Sequence, residues 1–214
     1  GSEMCIRDRD VTVAGSQKGL MLPPGLAFNA VSARALAAAD TARLPRAYWD
    51  WRDMLTANAK GYFPYTPSTN LLYGLHEALA MLQAEGLPRV FARHERHARA
   101  TRLAVAGWGL ELLSLDPAAH SPALTAVLMP GGHGADALRK IILDRFDMSL
   151  GQGLGKLTDR VFRIGHLGHF NDLTLCGTLA GVEMGLAAAG VPRRAGGMQA
   201  AMEYLARTPE GATA

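Results

Sequence analysis

The 214-residue chain has few of the features that mark secreted or membrane proteins. Its two cysteines, Cys5 and Cys176, are too few for a disulfide framework. No run of roughly 18 or more apolar residues is free of both charge and glycine, so the sequence predicts no membrane-spanning helix. Residues 1–9 are charged and too short to form a secretory leader. These absences favour a cytoplasmic protein.

The chain also has little excess of one sign of charge over the other. The chain carries 22 lysines and arginines against 19 aspartates and glutamates, a net charge of +3. An excess this small does not by itself indicate an anionic partner. Hydrophobic residues form 49% of the chain, enough for the core of one large domain or two small ones.

Lys18 is the only charged residue between Val11 and Ala33. It lies in the glycine-flanked pentapeptide GSQKG (15–19), which predicts a tight turn after a short strand. An ordinary lysine is protonated at neutral pH and is a poor nucleophile, whereas a desolvated amine attacks carbonyls and forms Schiff bases. These residues alone leave two interpretations equally open: a solvated turn lysine and a reactive amine.

Three segments resemble the class V aminotransferases of fold type I, the alanine–glyoxylate and serine–glyoxylate aminotransferase group, and most closely its bacterial serine–glyoxylate members. The segments are GSQKG (15–19) followed by PPG (23–25), YFPYTPSTNLLY (62–73) and RIGHLGHFND (163–172). They occur in the family's order, and the resemblance runs from Asp10 to about Val191. It implies an α/β fold, of which this chain holds the C-terminal part of the large domain and the small α+β C-terminal domain.

The resemblance implies roles for four residues. Lys18 matches the Schiff-base lysine that holds pyridoxal 5'-phosphate and acts as general acid and base. Gln17 matches a residue that touches the cofactor phosphate in its own subunit, and Thr66 matches one that reaches the phosphate of the other subunit in a homodimer. Arg163 matches the arginine that binds the substrate α-carboxylate. Judged from its strand context alone, Arg163 could equally form a structural ion pair.

One position departs from the family pattern. Where alanine–glyoxylate members place a phosphate-contacting tyrosine, this chain has Phe63, which carries no hydroxyl. Tyr62 and Tyr65 are both candidates to replace it, and the sequence does not choose between them.

The position of the lysine in the chain is also unusual. In the family the catalytic lysine lies near mid-chain, but here only 17 residues precede Lys18. The upstream half would supply a glycine-rich phosphate turn, an aromatic ring on the pyridine and an aspartate at the ring nitrogen, and none of these is found. Residues 1–9 share nothing with the family. We therefore expect a truncated product that is inactive or nearly so alone, with a cloning scar or a misassembled read in front.

Hydrophobic periodicity and turn residues predict an alternation of strands and helices. The expected strands are 11–14, 110–115, 124–129, 146–150 and 160–164. The expected helices are 32–39, 71–84 (ended by Gly86 and Pro88), 88–106, 135–144, 170–189 and 197–206, while 49–56 fits a helix or a strand. We expect residues 10–86 to be the remainder of the large domain, 87–192 the small domain, and 193–214 a terminal helix and tail.

Two groups of basic residues could in principle bind nucleic acid or a metal ion. The helix expected at 88–106 is basic, with only Glu95 to offset it. We interpret it as a solvated face rather than a nucleic-acid contact, because no base-reading motif accompanies it. His133, His166 and His169 lie in glycine-rich turns, but no cysteine or carboxylate completes a metal site. We expect hydrogen-bonded loop histidines and no zinc.

The resemblance implies ping-pong transamination from serine or alanine to glyoxylate. The partners would be a small amino acid and a 2-oxo acid, with neither nucleic acid nor a membrane. Two other hypotheses stay open. The chain could be a noncatalytic folded fragment, or a subunit that pairs with a missing half. It could also be a basic binding module unrelated to amino-acid chemistry.

Overall fold

The computed structural model describes residues 9–208. The chain divides into two compact units, with the boundary between Met81 and Leu82. The expected leader at residues 1–9 lies outside the described residues apart from Arg9, and the end of the expected tail, 209–214, also lies outside them. None of the helices within residues 9–208 combines the length and apolar character that crossing a membrane requires.

The first unit begins with a two-stranded antiparallel hairpin. Strand β1 (Val11–Gly15) pairs with β2 (Ala27–Val31), with Val11 opposite Val31 and Gly15 opposite Ala27. The sequence predicted β1 but missed β2. Only Phe28 and Val31 in β2 favour strands, so pairing with β1 decides its conformation.

Three helices follow the hairpin. Helix α1 (Ala33–Asp40) begins at Ser32, whose Oγ accepts a hydrogen bond from Ala35 N at 3.1 Å. Helix α2 (Trp51–Asn58) settles the helix-or-strand alternative at 49–56 in favour of a helix, because Asp50 caps its first turn. Helix α3 (Thr69–Glu85) confirms the helix predicted at 71–84.

Helix α4 (Leu87–Trp108) follows α3 after a single residue, Gly86. Gly86 has a φ of 83°, which turns the chain between the two helices. Helix α4 confirms the helix predicted at 88–106, and Pro88, expected just beyond the end of the preceding helix, lies in the first turn of α4. Its missing N–H costs nothing there, because the first turn has no intrahelical acceptor for that group.

The second unit contains a four-stranded antiparallel sheet in the order β3–β4–β6–β5. Its strands are β3 (Glu111–Leu112), β4 (Leu124–Leu128), β5 (Gly151–Gln152) and β6 (Val161–Gly165). The strand predicted at 146–150 is wrong. Phe146 ends a helix, and Asp147 takes a left-handed φ of 50° that terminates it, so the pairing strand starts only at Gly151.

One face of this sheet is buried beneath helices. Thr125 lies opposite Ile164 and Val127 opposite Phe162, and all four side chains are buried. The helices of this unit after α4 are α5 (Ala135–Phe146), α6 (Asp172–Ala188) and α7 (Gly197–Arg207). This layer confirms the mixed helix-and-sheet arrangement expected of residues 110–189.

Helices α4 and α7 pack so closely that a glycine is needed between them. A Cβ added at Gly197 would lie 2.2 Å from Nε1 of Trp108, which is fully buried. The same Nε1 donates to Oε2 of Glu183 at 2.7 Å, and that oxygen also accepts from Met198 N at 2.9 Å. The Glu183 carboxylate on α6 therefore binds both the Trp108 side chain at the end of α4 and the backbone at the start of α7.

The basic residues of α4 include several that face the interior of the second unit. Arg93, Arg96 and His97 are 8%, 5% and 0% exposed. Arg93 pairs with Glu85, while Arg96 and His97 both bind Asp172. The expectation of a solvated face is therefore wrong for these residues. It failed because the compensating carboxylates lie eight and 76 residues from their arginines in the sequence.

Candidate active site

The turn that carries Lys18 is anchored by the buried side chain of Ser16. Ser16 is 0% exposed, and its Oγ donates to the Pro23 carbonyl at 2.7 Å and accepts from Leu26 N at 3.2 Å. The Ser16 N–H donates to the Leu26 carbonyl at 3.1 Å, and the Ser16 carbonyl accepts from Leu22 N at 3.1 Å. These four bonds close residues 16–26 into a loop between β1 and β2.

Lys18 lies at the exposed tip of this loop. Its carbonyl accepts from Met21 N at 2.9 Å, and Met21 takes a left-handed φ of 60° to close the turn. A Cβ added at Gly19 would meet nothing within 4 Å, so the space beside the lysine is open. The predicted turn is confirmed. Because the amine is exposed in this chain, its desolvation requires cover from a ligand or another chain.

Gln17 precedes the lysine and folds back along the turn. A Cβ added at Gly15 would lie 2.7 Å from Oε1 of Gln17, so the bare backbone at Gly15 makes room for the amide. Gln17 is exposed. An exposed amide N–H₂ group is a suitable hydrogen-bond donor for an anion such as phosphate.

Thr66 lines an open cleft of about 780 Å³ in the first unit. Several aromatic residues line the cleft, among them Tyr48, Trp51, Phe63 and Tyr65. Tyr65 packs on Tyr48 with a centroid distance of 4.9 Å. Of the two tyrosines that could replace the missing phosphate hydroxyl, Tyr65 therefore shares the cleft with Thr66, whereas Tyr62 does not line it.

Lys18 and Gln17 do not line this cleft. The structure thus places Lys18 and Gln17 together on one loop and Thr66 in a separate cleft of the same unit. The resemblance implies this separation, because it assigns Thr66 to the site of the other subunit in a homodimer.

Arg163 lies in the second unit, at the middle of β6. Its Nε donates to the Gln152 carbonyl at 2.8 Å. Among residues 9–208, no aspartate or glutamate lies within ion-pair distance of its guanidinium. The alternative of a structural ion pair thus has no partner in the described chain, and the two terminal nitrogens face no carboxylate there.

The histidines near Arg163 belong to the framework of this unit. His166 is 0% exposed, its Nδ1 lies 3.0 Å from the Pro122 carbonyl, and its Nε2 lies 3.0 Å from Oγ1 of Thr125. Burial lowers the pKa of His166 to about 4, so the ring is neutral at physiological pH. Nδ1 then donates to Pro122, and the Thr125 hydroxyl donates to Nε2. His166 is therefore a hydrogen-bonded loop residue, as expected.

The other histidines of these turns do not assemble a metal site. His169 is exposed and His133 is half-buried. Within the part of the chain that the structure describes, no three histidine, cysteine, aspartate or glutamate side chains are placed to hold a metal ion.

Sequence reasoning missed Ser16 as a site residue. Its hydroxyl bonds to backbone groups of the loop, and it thereby fixes the turn that presents Lys18. A signal was available, since a serine inside a turn often bonds to nearby backbone groups. Its partners at Pro23 and Leu26, seven and ten residues away, could not be read from the turn itself.

Known proteins resemble this chain over most of its length, although no family model matches it. The chain is 48% identical over 206 residues to serine–glyoxylate aminotransferase of Methylorubrum extorquens, which covers 94% of this chain and 51% of that protein. It is 44% identical over 204 residues to L-aspartate–glyoxylate aminotransferase of Paracoccus denitrificans, a match that covers 95% of this chain and 52% of that protein. The chain belongs to the class V pyridoxal-phosphate-dependent aminotransferases.

Solved structures agree with this assignment and give the fold. Ureidoglycine–glyoxylate aminotransferase from Bacillus subtilis superposes with a TM-score of 0.83 at 28% identity, covering 91% of this chain and 51% of that one. Pyridoxamine–pyruvate aminotransferase from Mesorhizobium loti superposes with a TM-score of 0.83 at 33% sequence identity, covering 92% of this chain and 52% of that one. The expected fold type I is confirmed. This class V aminotransferase chain spans about half the length of the relatives it matches.

Proposed function

We propose that this chain carries the lysine-bearing part of a transaminase site that moves an amino group from serine or alanine to glyoxylate. The observation that carries the proposal is the Lys18 loop. An amine stands at the exposed tip of a turn held by a buried serine, in a chain 48% identical to a serine–glyoxylate aminotransferase. A cytoplasmic location is part of the proposal, and the scarcity of cysteine supports it.

The side chains present fit pyridoxal 5'-phosphate at its aldehyde end. Nζ of Lys18 would hold the cofactor covalently, and open space beside Gly19 admits it. The Gln17 amide would donate to the phosphate in the same subunit. Thr66, with Tyr65 beside it in the cleft, would donate to the phosphate of a second copy, so a homodimer belongs to the proposal.

Each residue has a distinct task in the proposed reaction. When bound, pyridoxal phosphate supplies the electron sink for the charge that develops at the substrate α-carbon. Nζ of Lys18 moves the proton that leaves that carbon. The terminal nitrogens of Arg163 bind the α-carboxylate of the amino acid and orient its amine. The donor and acceptor in this proposal are the small amino acid and the 2-oxo acid glyoxylate.

We also propose that the two units correspond to family domains. Residues 10–86 would be the remainder of the large cofactor-binding domain, 87–192 the small C-terminal domain, and 193–214 a terminal helix and tail. A unit boundary between Met81 and Leu82 supports this division.

The 214 residues by themselves should turn over serine and glyoxylate slowly or not at all. The phosphate turn, the stacking ring and the pyridine-nitrogen aspartate that the family uses are not found among them. The noncatalytic alternative, a folded fragment or a subunit that needs a second half, therefore differs from the proposal in cofactor attachment rather than in the turnover of this chain. The third hypothesis, a basic binding module, loses support because Arg93 and Arg96 are buried in ion pairs.

The experiment is cofactor trapping on the purified chain. Pyridoxal phosphate is added, the adduct is reduced with borohydride, and the modified lysine is located by peptide mass spectrometry. The chain has four lysines: Lys18, Lys60, Lys140 and Lys156. Modification concentrated at Lys18, lost in Lys18→Arg and kept in the control Lys60→Arg, would support the proposal. Equal labelling of all four lysines would contradict it.

Turnover is then measured with serine and glyoxylate on the same preparation. Specific Lys18 labelling with little or no turnover is the result that the proposal expects, whereas a chain that is folded by circular dichroism but gives no Lys18 adduct would support the noncatalytic alternative. Salt-dependent binding of duplex DNA, in the absence of a specific Lys18 adduct, would favour a basic binding module instead.

A further inference from the structure

The sheet around Arg163 contains unusually small neighbours. Arg163 lies directly opposite Ala126 on β4 and Gly151 on β5. Residues directly opposite each other in an antiparallel pair project to the same face of the sheet. The longest side chain of this row is thus flanked on both sides by residues with one side-chain carbon or none.

The space at Gly151 is occupied by Arg163 itself. A Cβ added at Gly151 would lie 3.0 Å from Cβ of Arg163 and 3.1 Å from its Nε. Gly151 is not among the described residues with a positive φ, so its backbone is one that other residues adopt. The glycine therefore gives room to the arginine, which would have to shift by a few tenths of an ångström beside an added Cβ, and it is not required for its backbone conformation.

The residue after Gly151 directs the guanidinium. Nε of Arg163 donates to the Gln152 carbonyl at 2.8 Å, and the Gly151–Gln152 strand is the one that runs past the arginine side chain. With Nε occupied, the two terminal nitrogens of Arg163 make no hydrogen bond to any other residue within 9–208 and stay available to a ligand. That pair of N–H donors matches the two oxygens of a carboxylate.

We propose that Gly151 is a positioning residue for the carboxylate-binding arginine. By leaving the space beside Arg163 empty, it lets the side chain lie against β5, where the Gln152 carbonyl holds Nε and presents the terminal nitrogens to the substrate. This inference rests on the proposed function, because it takes Arg163 as the group that binds the substrate carboxylate. Gly151 itself touches no substrate.

The test uses the 214-residue chain labelled with ¹⁵N and needs no bound cofactor. Two signals are read by NMR: solvent-exchange protection of the Arg163 Nε–H without ligand, and the shifts of the 151 and 152 amides during titration with sodium glyoxylate. The variants are Gly151→Ala, Arg163→Lys and Gly131→Ala. Gly131 is the matched control, since an added Cβ there meets nothing within 4 Å and its φ is not positive.

Four results are expected if Gly151 positions Arg163. In the parent chain and in Gly131→Ala, the Nε–H is protected and glyoxylate binds saturably. In Gly151→Ala the protection is lost, and the glyoxylate dissociation constant rises about fivefold, as for one misaligned bond of a bidentate pair. In Arg163→Lys the saturable shifts disappear. Dispersed amide signals confirm that each variant is folded.

Two other results would overturn the claims separately. If Gly151→Ala keeps the protection, or loses it but binds glyoxylate like the parent, the positioning role is wrong while the role of Arg163 stands. If Arg163→Lys binds glyoxylate like the parent, or the parent shows no saturable shift, the proposed role of Arg163 fails and the inference falls with it. Should Gly151→Ala not fold, Ala126→Gly is combined with it to give Arg163 room on the β4 side. That room lets Arg163 move off the Gln152 carbonyl, so weakened glyoxylate binding with lost Nε–H protection in the folded double variant supports the inference, and parent-like binding contradicts it.

Discussion

The guanidinium of Arg93 binds the carboxylate of Glu85 through two hydrogen bonds, 2.7 Å from Nε to Oε1 and 2.8 Å from Nη2 to Oε2. The remaining nitrogen, Nη1, donates to the carbonyls of Gly168 and Phe170 at 2.8 and 3.1 Å. One side chain thus joins the last turn of α3 and helix α4 to the loop that follows the Arg163 strand. The hydrogen bonds from the Arg93 guanidinium also lower the pKa of Glu85, because they stabilise its ionised form.

Removing Arg93 should therefore be among the most damaging single changes in the second unit. Arg93→Ala strips four hydrogen bonds from partly buried acceptors and should lower the free energy of unfolding by about 3 kcal/mol. The measurement is urea unfolding followed by circular dichroism. Arg99→Ala, on an exposed position of the same helix, is the control and should cost about 1 kcal/mol or less through its contact with the Tyr204 ring. Equal losses in the two variants would contradict this role of Arg93.

Glu183 should be more important for stability than its place on α6 suggests. Its Oε2 accepts from both Trp108 Nε1 and Met198 N, and Glu183→Ala leaves these two donors without their acceptor. We expect a loss of about 2 kcal/mol in the free energy of unfolding. Thermal melts that compare it with Glu203→Ala, an exposed glutamate on α7, check the prediction. Glu203→Ala should stay within about 0.5 kcal/mol of the parent.

His166 should make the fold sensitive to mild acid. Its pKa falls from 6.5 to about 4 in the folded chain because the ring is buried, so the unfolded chain binds the proton first as the pH drops. The stability due to the neutral ring is complete above pH 6.5 and is lost between pH 6.5 and about 4. The full difference corresponds to about 3 kcal/mol at roughly 1.4 kcal/mol per pKa unit.

Unfolding measured at a series of pH values tests this dependence. The parent should lose stability steadily from pH 6.5 to 4, while His166→Gln should show a shallower loss from a lower starting stability. Buried His97, whose pKa is also lowered by burial, contributes to the slope that remains. Identical pH slopes in the parent and His166→Gln would show that His166 does not control the effect.

Ser16→Ala should disturb the lysine loop without unfolding the chain. The change removes the bonds from Oγ to the Pro23 carbonyl and from Leu26 N to Oγ, leaving a partly buried N–H and a partly buried carbonyl to find other partners. We expect borohydride-trapped pyridoxal phosphate at Lys18 to fall about fivefold, since the loop samples more conformations. Ser114→Ala, at an exposed turn of the second unit, is the control. Undiminished trapping in Ser16→Ala would argue against the anchoring role.

Local patterns were enough for most of the elements. Ser32 and Asn171 mark the starts of α1 and α6, because a short polar side chain before an apolar run caps a helix. The alternation in Val161–Gly165 identified β6. The same local signals failed at 146–150, where apolar residues in sequence suggested a strand but the left-handed turn at Asp147 ends a helix.

In the candidate site, too, some residues could be predicted from the sequence and others could not. Lys18, Gln17, Thr66 and Arg163 could be chosen from the sequence, because each belongs to a short segment that resembles the family. The supporting groups Ser16, Gly151 and the Gln152 carbonyl act on partners several residues away or on a neighbouring strand. These contacts form only when the folded backbone brings the partners together, so the sequence could not reveal them.

By itself, the sequence determined the family, the positions of most helices and strands, and the chemical types of the candidate site residues, since propensity and short motifs are local properties. Only the tertiary structure decided that α4 buries Arg93 and Arg96, that Ser16 holds the lysine loop, and that Arg163 leans on β5 with its terminal nitrogens facing no described carboxylate. The reason is that ion pairs, buried hydrogen bonds and close packing depend on which distant residues folding brings within a few ångströms.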